Sequence, residues 1–158
     1  MNKYEEPLIH QLIQVTKKYL SAFSEITENI PLERYHYALL IIDEHQETLT
    51  QKALAELLQV DKSFMVSMVD HLTSSGFVYR ETNCDDRRQQ VIKLTAHAKK
   101  IIPEIHQSIQ VLNQRAFQSV SKEKMNAFFE TIETLQSNLN PLITNEIVMI
   151  IKNQKFNS

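Results

Sequence analysis

The sequence predicts a mainly α-helical fold that contains one short β-hairpin, and three observations support this prediction. Only one glycine occurs in 158 residues, which is typical of long helices joined by few tight turns. Apolar residues recur at steps of three and four along most of the chain. The period falls to two only between Phe77 and Leu94, as expected for strands. With 42% hydrophobic and 23% charged residues, the chain can bury a core as one domain or one compact subunit.

The N-terminal part of the chain predicts two helices of different character. Residues 3–28 carry an apolar stripe that is wide enough to pack on more than one neighbour. It could be an ordinary core helix, but a dimerisation helix is favoured, because one short domain cannot cover this stripe and those near the C-terminus. The second helix is expected from Leu32 to Glu44, with Pro31 in its first turn, and should be central because it is apolar nearly all round.

A pair of short helices is expected next. The first runs from Thr50 to Val60 with Thr50 as its N-cap, and a turn over residues 59–62 follows. The second begins at Asp61 or Ser63 and ends before Gly76, because a glycine after a helix can adopt positive φ without steric cost.

A β-hairpin follows these helices. Residues 77–81 and 90–94 read as its strands, and the polar segment between them carries Arg87 and Arg88 near the tip. Helix, turn, helix and hairpin in this order predict a winged helix-turn-helix. Such a domain places its second helix in the major groove of DNA, and an arginine in the wing can reach a phosphate or a narrow minor groove.

The C-terminal part predicts further helices with strongly apolar faces. One should run from Thr95 to about Val120 and another should begin at Ser121, and Asn140-Pro141 marks a restart before an apolar end over residues 142–151. A partner subunit is the simplest cover for this end, because an exposed apolar patch of that size invites aggregation. The residues expected to face inward on the helix after Ser121 are Met125, Phe128, Phe129, Ile132, Leu135 and Leu139.

Residues 49–95 resemble the winged helix-turn-helix of the MarR family of bacterial transcription regulators. The resemblance rests on LTQKALAELLQVDKS, on VDHL in the second helix, on SGFV before the wing and on DDRRQQVIKLT within it. It implies a homodimeric regulator of double-stranded DNA, expected to be a repressor relieved by a small aromatic or other organic effector. Residues 1–30 and 100–158 would form dimerisation helices, and residues 31–99 the DNA-binding region. Arg88 would enter the minor groove, with its side chain held by Asp86.

The expected DNA contacts lie at the start of the first short helix, on the second and in the wing. The second helix departs from the family, which commonly has threonines and an arginine there, so readout by polar contacts should be poorer and lean towards A/T pairs. For Phe64 and Val66, core packing is an open alternative. The candidate contact residues are Thr50, Gln51, Lys62, Ser63, Phe64, Val66, Ser67, His71, Arg87 and Arg88.

An effector pocket is implied by the resemblance alone. Its candidate residues are Phe23, Tyr35, His36 and Leu39, for which packing at the hinge between the dimerisation helices and the winged domain is the favoured interpretation.

Other functions find little support in the sequence. One glycine cannot build a phosphate-binding loop, and no two of the six histidines have the spacing of a metal-ligand pair on a helix, so we expect no enzyme, cofactor or metal site. The lone cysteine, Cys84, lies in the wing and fits a reducing, cytoplasmic location; its oxidation is an unfavoured alternative. The net charge of −2 is weak for a DNA-binding protein. A winged-helix module that binds proteins and has lost DNA binding is therefore the second hypothesis.

Overall fold

The computed structural model describes residues 7–139 except 33, 46, 47 and 85. The described residues form helices and one antiparallel hairpin, which confirms the predicted fold class. In chain order, the elements are α1 (Leu8–Ile26), α2 (His36–Glu44), α3 (Gln51–Leu58), α4 (Lys62–Ser74), β1 (Val78–Thr82), β2 (Gln90–Leu94), α5 (Ala96–Ala116) and α6 (Lys122–Asn138). Within the described part of the chain, none of the helices combines the length and apolar character that a membrane span requires.

The predicted helix starts are confirmed where a polar side chain closes the first turn. Thr50, Asp61 and Thr95 each accept a hydrogen bond from the backbone N–H three residues later, at 3.1, 2.8 and 3.1 Å. Each bond satisfies one of the N–H groups that the first turn of a helix leaves without a partner. Gly76, with φ of 77°, follows α4 as predicted.

The second helix begins later than predicted. It starts at His36, so Pro31 lies outside it. The reason is tertiary: Ile30 and Leu32 are buried in the core and hold this segment in a turn, with the N–H of Ile30 bonded to the carbonyl of Thr27. Tyr35, at the N-cap of α2, has φ of 70°, an unusual conformation for a bulky side chain.

Three other boundaries differ from prediction. α1 ends at Ile26, β1 is shifted by one residue, and α5 ends at Ala116 rather than near Val120. The turn after α5 contains Ser119 at φ of 64°, which a helix cannot accommodate. The predicted start at residue 3, the restart at Asn140-Pro141 and the apolar end lie outside the described residues.

The core lies between α2, α4, the hairpin and the first half of α5. α2 is largely buried, as predicted, and α5 packs against both α1 and α2. The largest completely buried side chains are Leu39, Ile42, Leu54, Met65, Leu72, Ile92, Ile105, Val69 and Val78. Because Ile105 belongs to α5, the first half of that helix is part of the core of the winged domain.

Within the described residues the apolar face of α6 is only half-buried at Met125, Ile132 and Leu135 and otherwise exposed, which corrects the expectation that it faces inward. Phe128 and Phe129 are each 48% exposed and Leu139 is 66% exposed. Neither α6 nor α1 has a residue that is fully buried. The described part of one subunit therefore leaves both stripes largely open to solvent.

Candidate nucleic-acid interface

Helix α4 has one face in the core and the opposite face in solvent. Met65, Met68, Val69 and Leu72 are buried and hold the helix on α3 and the hairpin. The opposite face carries the exposed residues Lys62, Ser63, Val66, Ser67 and Asp70. The spacing of helical turns puts residues 63, 66, 67 and 70 in one stripe, as a recognition helix requires. The outward orientation predicted for these residues is confirmed.

Phe64 and His71 are less exposed than the sequence predicts. Both are expected to face outward, but both are half-buried. The ring of Tyr35 packs edge-on against them, with centroids 6.1 Å from Phe64 and 5.6 Å from His71. These two residues therefore fix α4 against the start of α2, and less of each side chain is available for contact with DNA.

The hairpin lies beside α4 and is tied to α3. β1 and β2 pair antiparallel, with Arg80 opposite Ile92. Thr50 forms an isolated bridge with Val91, and the N–H of Ile92 donates to the carbonyl of Leu49 at 2.8 Å. The start of α3 is thus held directly against the wing.

Asp86 organises the tip of the wing, but not in the way the family resemblance implied. Its Oδ1 accepts the backbone N–H of Arg88 at 3.0 Å, and its Oδ2 accepts the side-chain amide of Gln89 at 3.0 Å. The contact found is therefore with the backbone of Arg88 rather than with its guanidinium. Arg87 and Arg88 are both exposed. The carboxylate closes the turn, because an aspartate can accept from an N–H two residues on.

A basic groove of about 590 Å³ lies between the wing and the start of α3. Thr50 and Gln51 line it, although the hydroxyl of Thr50 also caps α3. Its charged side chains are Lys52, Arg80 and Arg88. An electropositive groove beside a recognition helix suits a DNA phosphate.

Arg80 is the interface residue that sequence reasoning missed. Its Nη2 donates to Oδ1 of Asp70 on α4 at 2.7 Å and to Oε1 of Gln51 on α3 at 3.3 Å. One available signal was strand alternation, which places Arg80 on the same face as buried Val78 and so points it towards the helices.

Of the four predicted effector residues, Phe23 and His36 meet at the junction of α1 and α2, whereas Tyr35 packs against α4. The rings of Phe23 and His36 pack edge to face with centroids 5.1 Å apart. His36 is 5% exposed, and its Nε2 makes no hydrogen bond within the described part of the chain. Burial lowers the pKa of His36, and a hydrogen bond to the backbone of Leu32 partly opposes this. Leu39 is completely buried and belongs to the core.

Neither a metal site nor a buried thiol is found in the described residues. Among them, no three His, Cys, Asp or Glu side chains lie together as metal ligands would. Cys84 is exposed on the wing.

These features define a winged helix-turn-helix protein, and comparisons with known proteins agree. Residues 32–89 match the MarR family model. An uncharacterized HTH-type transcriptional regulator, YfiV of Bacillus subtilis (strain 168), is 31% identical over 97 residues, which are 61% of this chain and 60% of YfiV. The match thus spans less than two thirds of YfiV. The chain carries a MarR-family winged helix-turn-helix, which confirms the resemblance seen in the sequence.

Solved structures share the fold over a longer range. A mutant of MarR from E. coli, complexed with operator DNA, is 23% identical with a TM-score of 0.73, over 82% of this chain and 93% of that one. CouR from Rhodococcus jostii RHA1, bound to p-coumaroyl-CoA, is 20% identical with a TM-score of 0.72, over 85% of this chain and 95% of that one. At these identities the likeness establishes the common fold.

Proposed function

We propose that this protein is a homodimeric, DNA-binding transcription regulator that acts as a repressor. The observation that carries the proposal is the orientation of α4, whose apolar side holds it to the core while its polar side faces solvent next to a basic wing. A MarR mutant of the same fold is bound to operator DNA, which supports the same partner for this chain. This activity is regulatory binding rather than catalysis.

Phosphate contacts would provide most of the affinity. Lys62 and Ser63 lie in the first turn of α4, where free N–H groups and the helix dipole favour an anion. Arg87 and Arg88 extend from the wing towards the backbone or the minor groove. Because α4 contains no arginine that could bind guanine with two hydrogen bonds, specificity would depend more on Ser67, Val66 and DNA shape.

A dimer would cover the apolar stripes that one subunit leaves open. The exposed residues of α1 include Leu8, Leu12 and Val15, and those of α6 include Phe128 and Phe129. Burying such side chains between two subunits gains about 25 cal/mol per Å² of apolar surface. Two recognition helices would then reach successive major grooves, about 10 base pairs apart, on a pseudo-palindromic operator.

An organic effector would relieve repression by changing the distance between the two winged domains. CouR, which shares this fold, is bound to p-coumaroyl-CoA. In this chain the junction of α1 and α2 offers an aromatic wall, Phe23, and a buried acceptor, Nε2 of His36. A ligand that prefers one spacing of the winged domains would shift the population towards it.

Gel shifts with fragments from the protein's own promoter region test the proposal. We expect binding that weakens steeply with salt, because each phosphate contact contributes a slope of about 0.9 in log K against log salt. The Arg87→Ala/Arg88→Ala double variant should reduce both affinity and slope. A Lys99→Ala/Lys100→Ala variant is a matched control, since both lysines are exposed on α5. Absence of binding at low salt, with no effect of the wing variant, would refute the proposal.

A protein-binding module is the second candidate, and the surface of α4 favours it at one point. Val66 is 38% exposed in the middle of the stripe that should face DNA. A partner protein could cover it together with half-buried Phe64. Under this hypothesis DNA binding would show little salt dependence, so the same titration separates the two candidates.

A further inference from the structure

The exposed stripe of α4 contains the carboxylate of Asp70, whose negative charge would repel the phosphates of bound DNA. Asp70 follows Ser63 and Ser67 at helical spacing, and its side chain is 59% exposed. If α4 enters a major groove, this negative charge lies between two rows of phosphates. An uncompensated like charge at an interface is strongly unfavourable.

Arg80 compensates this charge from a different element. It extends from β1 to Asp70, with Nη2 and Oδ1 2.7 Å apart, and its own side chain is only 29% exposed. The same nitrogen donates to Oε1 of Gln51 on α3 at 3.3 Å. One guanidinium group therefore joins the recognition helix, the helix before it and the wing.

The side chain of Arg80 lies on the side of the hairpin that faces the helices. Arg80 pairs with buried Ile92 in the register and lies on the strand face of buried Val78. Because its guanidinium donates to both Asp70 and Gln51, the charged end is held at a defined place. The pair is therefore more ordered than an exposed ion pair, in which two long side chains must lose their freedom.

We infer that Arg80 is a positioning residue for DNA recognition: it acts through Asp70, whose negative charge it neutralises so that the exposed stripe of α4 does not repel DNA phosphates. The inference rests on the proposed DNA binding. In this inference Asp70 contacts no base. Its carboxylate binds Arg80, and the positive charge of Arg80 removes the repulsion between α4 and DNA phosphates. Arg88 and Lys52 line the same groove and would contact phosphate, Lys52 by leaving its exposed pairing with Glu56 at 3.9 Å.

The inference predicts suppression of one variant by another. Arg80→Ala leaves Asp70 uncompensated and should weaken operator affinity roughly tenfold. Adding Asp70→Asn should restore most of that loss, because the carboxylate is then gone. The salt slope of the double variant should equal that of the wild type, since no phosphate contact is removed. Fluorescence anisotropy with labelled operator over a salt series measures both quantities.

A second ion pair on the wing provides the control. Lys93 and Glu81 are paired across the hairpin away from α4, so Glu81→Gln should leave affinity unchanged. Urea unfolding of each variant shows whether the variant is folded. Arg80→Lys keeps the positive charge and should therefore have a higher affinity for DNA than Arg80→Ala.

The outcomes separate this inference from the proposed function. If the wild type binds no promoter fragment, the proposed function fails. If the wild type binds, but Asp70→Asn does not restore the Arg80→Ala variant, the positioning role is wrong. If the salt slope falls by about one in Arg80→Ala and in the double variant, Arg80 contacts a phosphate directly, and the positioning role is wrong.

Discussion

Phe23 and His36 meet edge to face where α1 packs over the start of α2, with ring centroids 5.1 Å apart and ring planes at 89°. The contact joins the long N-terminal helix to the winged domain. The preceding residue, Tyr35, packs against His71 of α4 with ring centroids 5.6 Å apart. Two residues that are neighbours in the chain, Tyr35 and His36, therefore contact the recognition helix and α1 respectively.

The buried imidazole of His36 predicts a loss of stability in mild acid. Burial lowers its pKa below the ordinary value of 6.5, so the unfolded state takes up a proton first as pH falls. Stability from this residue should therefore be constant above pH 6.5 and should decline below it, with a slope of at most about 1.4 kcal/mol per pH unit. Urea unfolding between pH 5 and 8 measures it.

The matching variants are His36→Gln and His106→Gln. The first should flatten the decline below pH 6.5, whereas the second, at an exposed position on α5, should keep the wild-type profile. An unchanged profile in His36→Gln would mean that other groups cause the acid sensitivity.

Two positions with positive φ should respond to substitution in opposite directions. Gly76 has φ of 77°, and an added Cβ would meet nothing within 4 Å, so Gly76→Ala should cost about 1 kcal/mol through backbone strain alone. Gln59 has φ of 51° and an exposed side chain, so Gln59→Gly relieves the strain of a left-handed conformation. Because glycine also gives the unfolded chain more freedom, the net gain in the free energy of unfolding should be only about 0.5 kcal/mol. Chemical denaturation measures both. If Gly76→Ala costs nothing, the strain argument at this turn is wrong.

Local signals were sufficient to predict most of the fold. The caps at Thr50, Asp61 and Thr95 are contacts within four residues of sequence, and the change of period identified the hairpin strands to within one residue. The start of α2 was missed because the deciding interaction is the burial of Ile30 and Leu32 in a core built by later elements. Neither residue carries a local signal for a turn.

The interface was only partly predictable for the same reason. Exposure along α4 follows from its apolar spacing, and Lys62, Ser63, Val66 and Ser67 lie where expected. The pairing of Arg80 with Asp70, and the packing of Tyr35 over Phe64 and His71, depend on how separate elements are placed. The untested DNA contacts and effector residues stay predictions.

The exposed apolar face of α6 predicts that the protein forms a dimer, which a single charged substitution on this face should dissociate. Phe128 is 48% exposed in the subunit and lies in a cluster of rings with Phe117 and Phe129. Phe128→Glu should leave folding nearly intact but shift the protein from dimer to monomer, because the charge would be buried at the interface. Sedimentation velocity measures the change. Asn126→Glu, at an exposed position on the opposite side of α6, is the control, and a wild-type monomer at micromolar concentration would contradict the prediction.

The conformation of the turn at the tip of the wing should determine how strongly Arg88 contributes to operator affinity. Asp86 holds that turn through the backbone N–H of Arg88 and the side chain of Gln89. Asp86→Ala removes both acceptors and should weaken operator binding by about 1 kcal/mol, the usual net contribution of such hydrogen bonds. Because Asp86 acts through Arg88, adding Asp86→Ala to Arg88→Ala should cost little more than Arg88→Ala alone. Anisotropy titrations of the two single variants and the double variant measure this coupling. Gln89→Ala removes only the hydrogen bond between the side chains of Gln89 and Asp86. Fully additive losses would show that Asp86 affects DNA binding independently of Arg88.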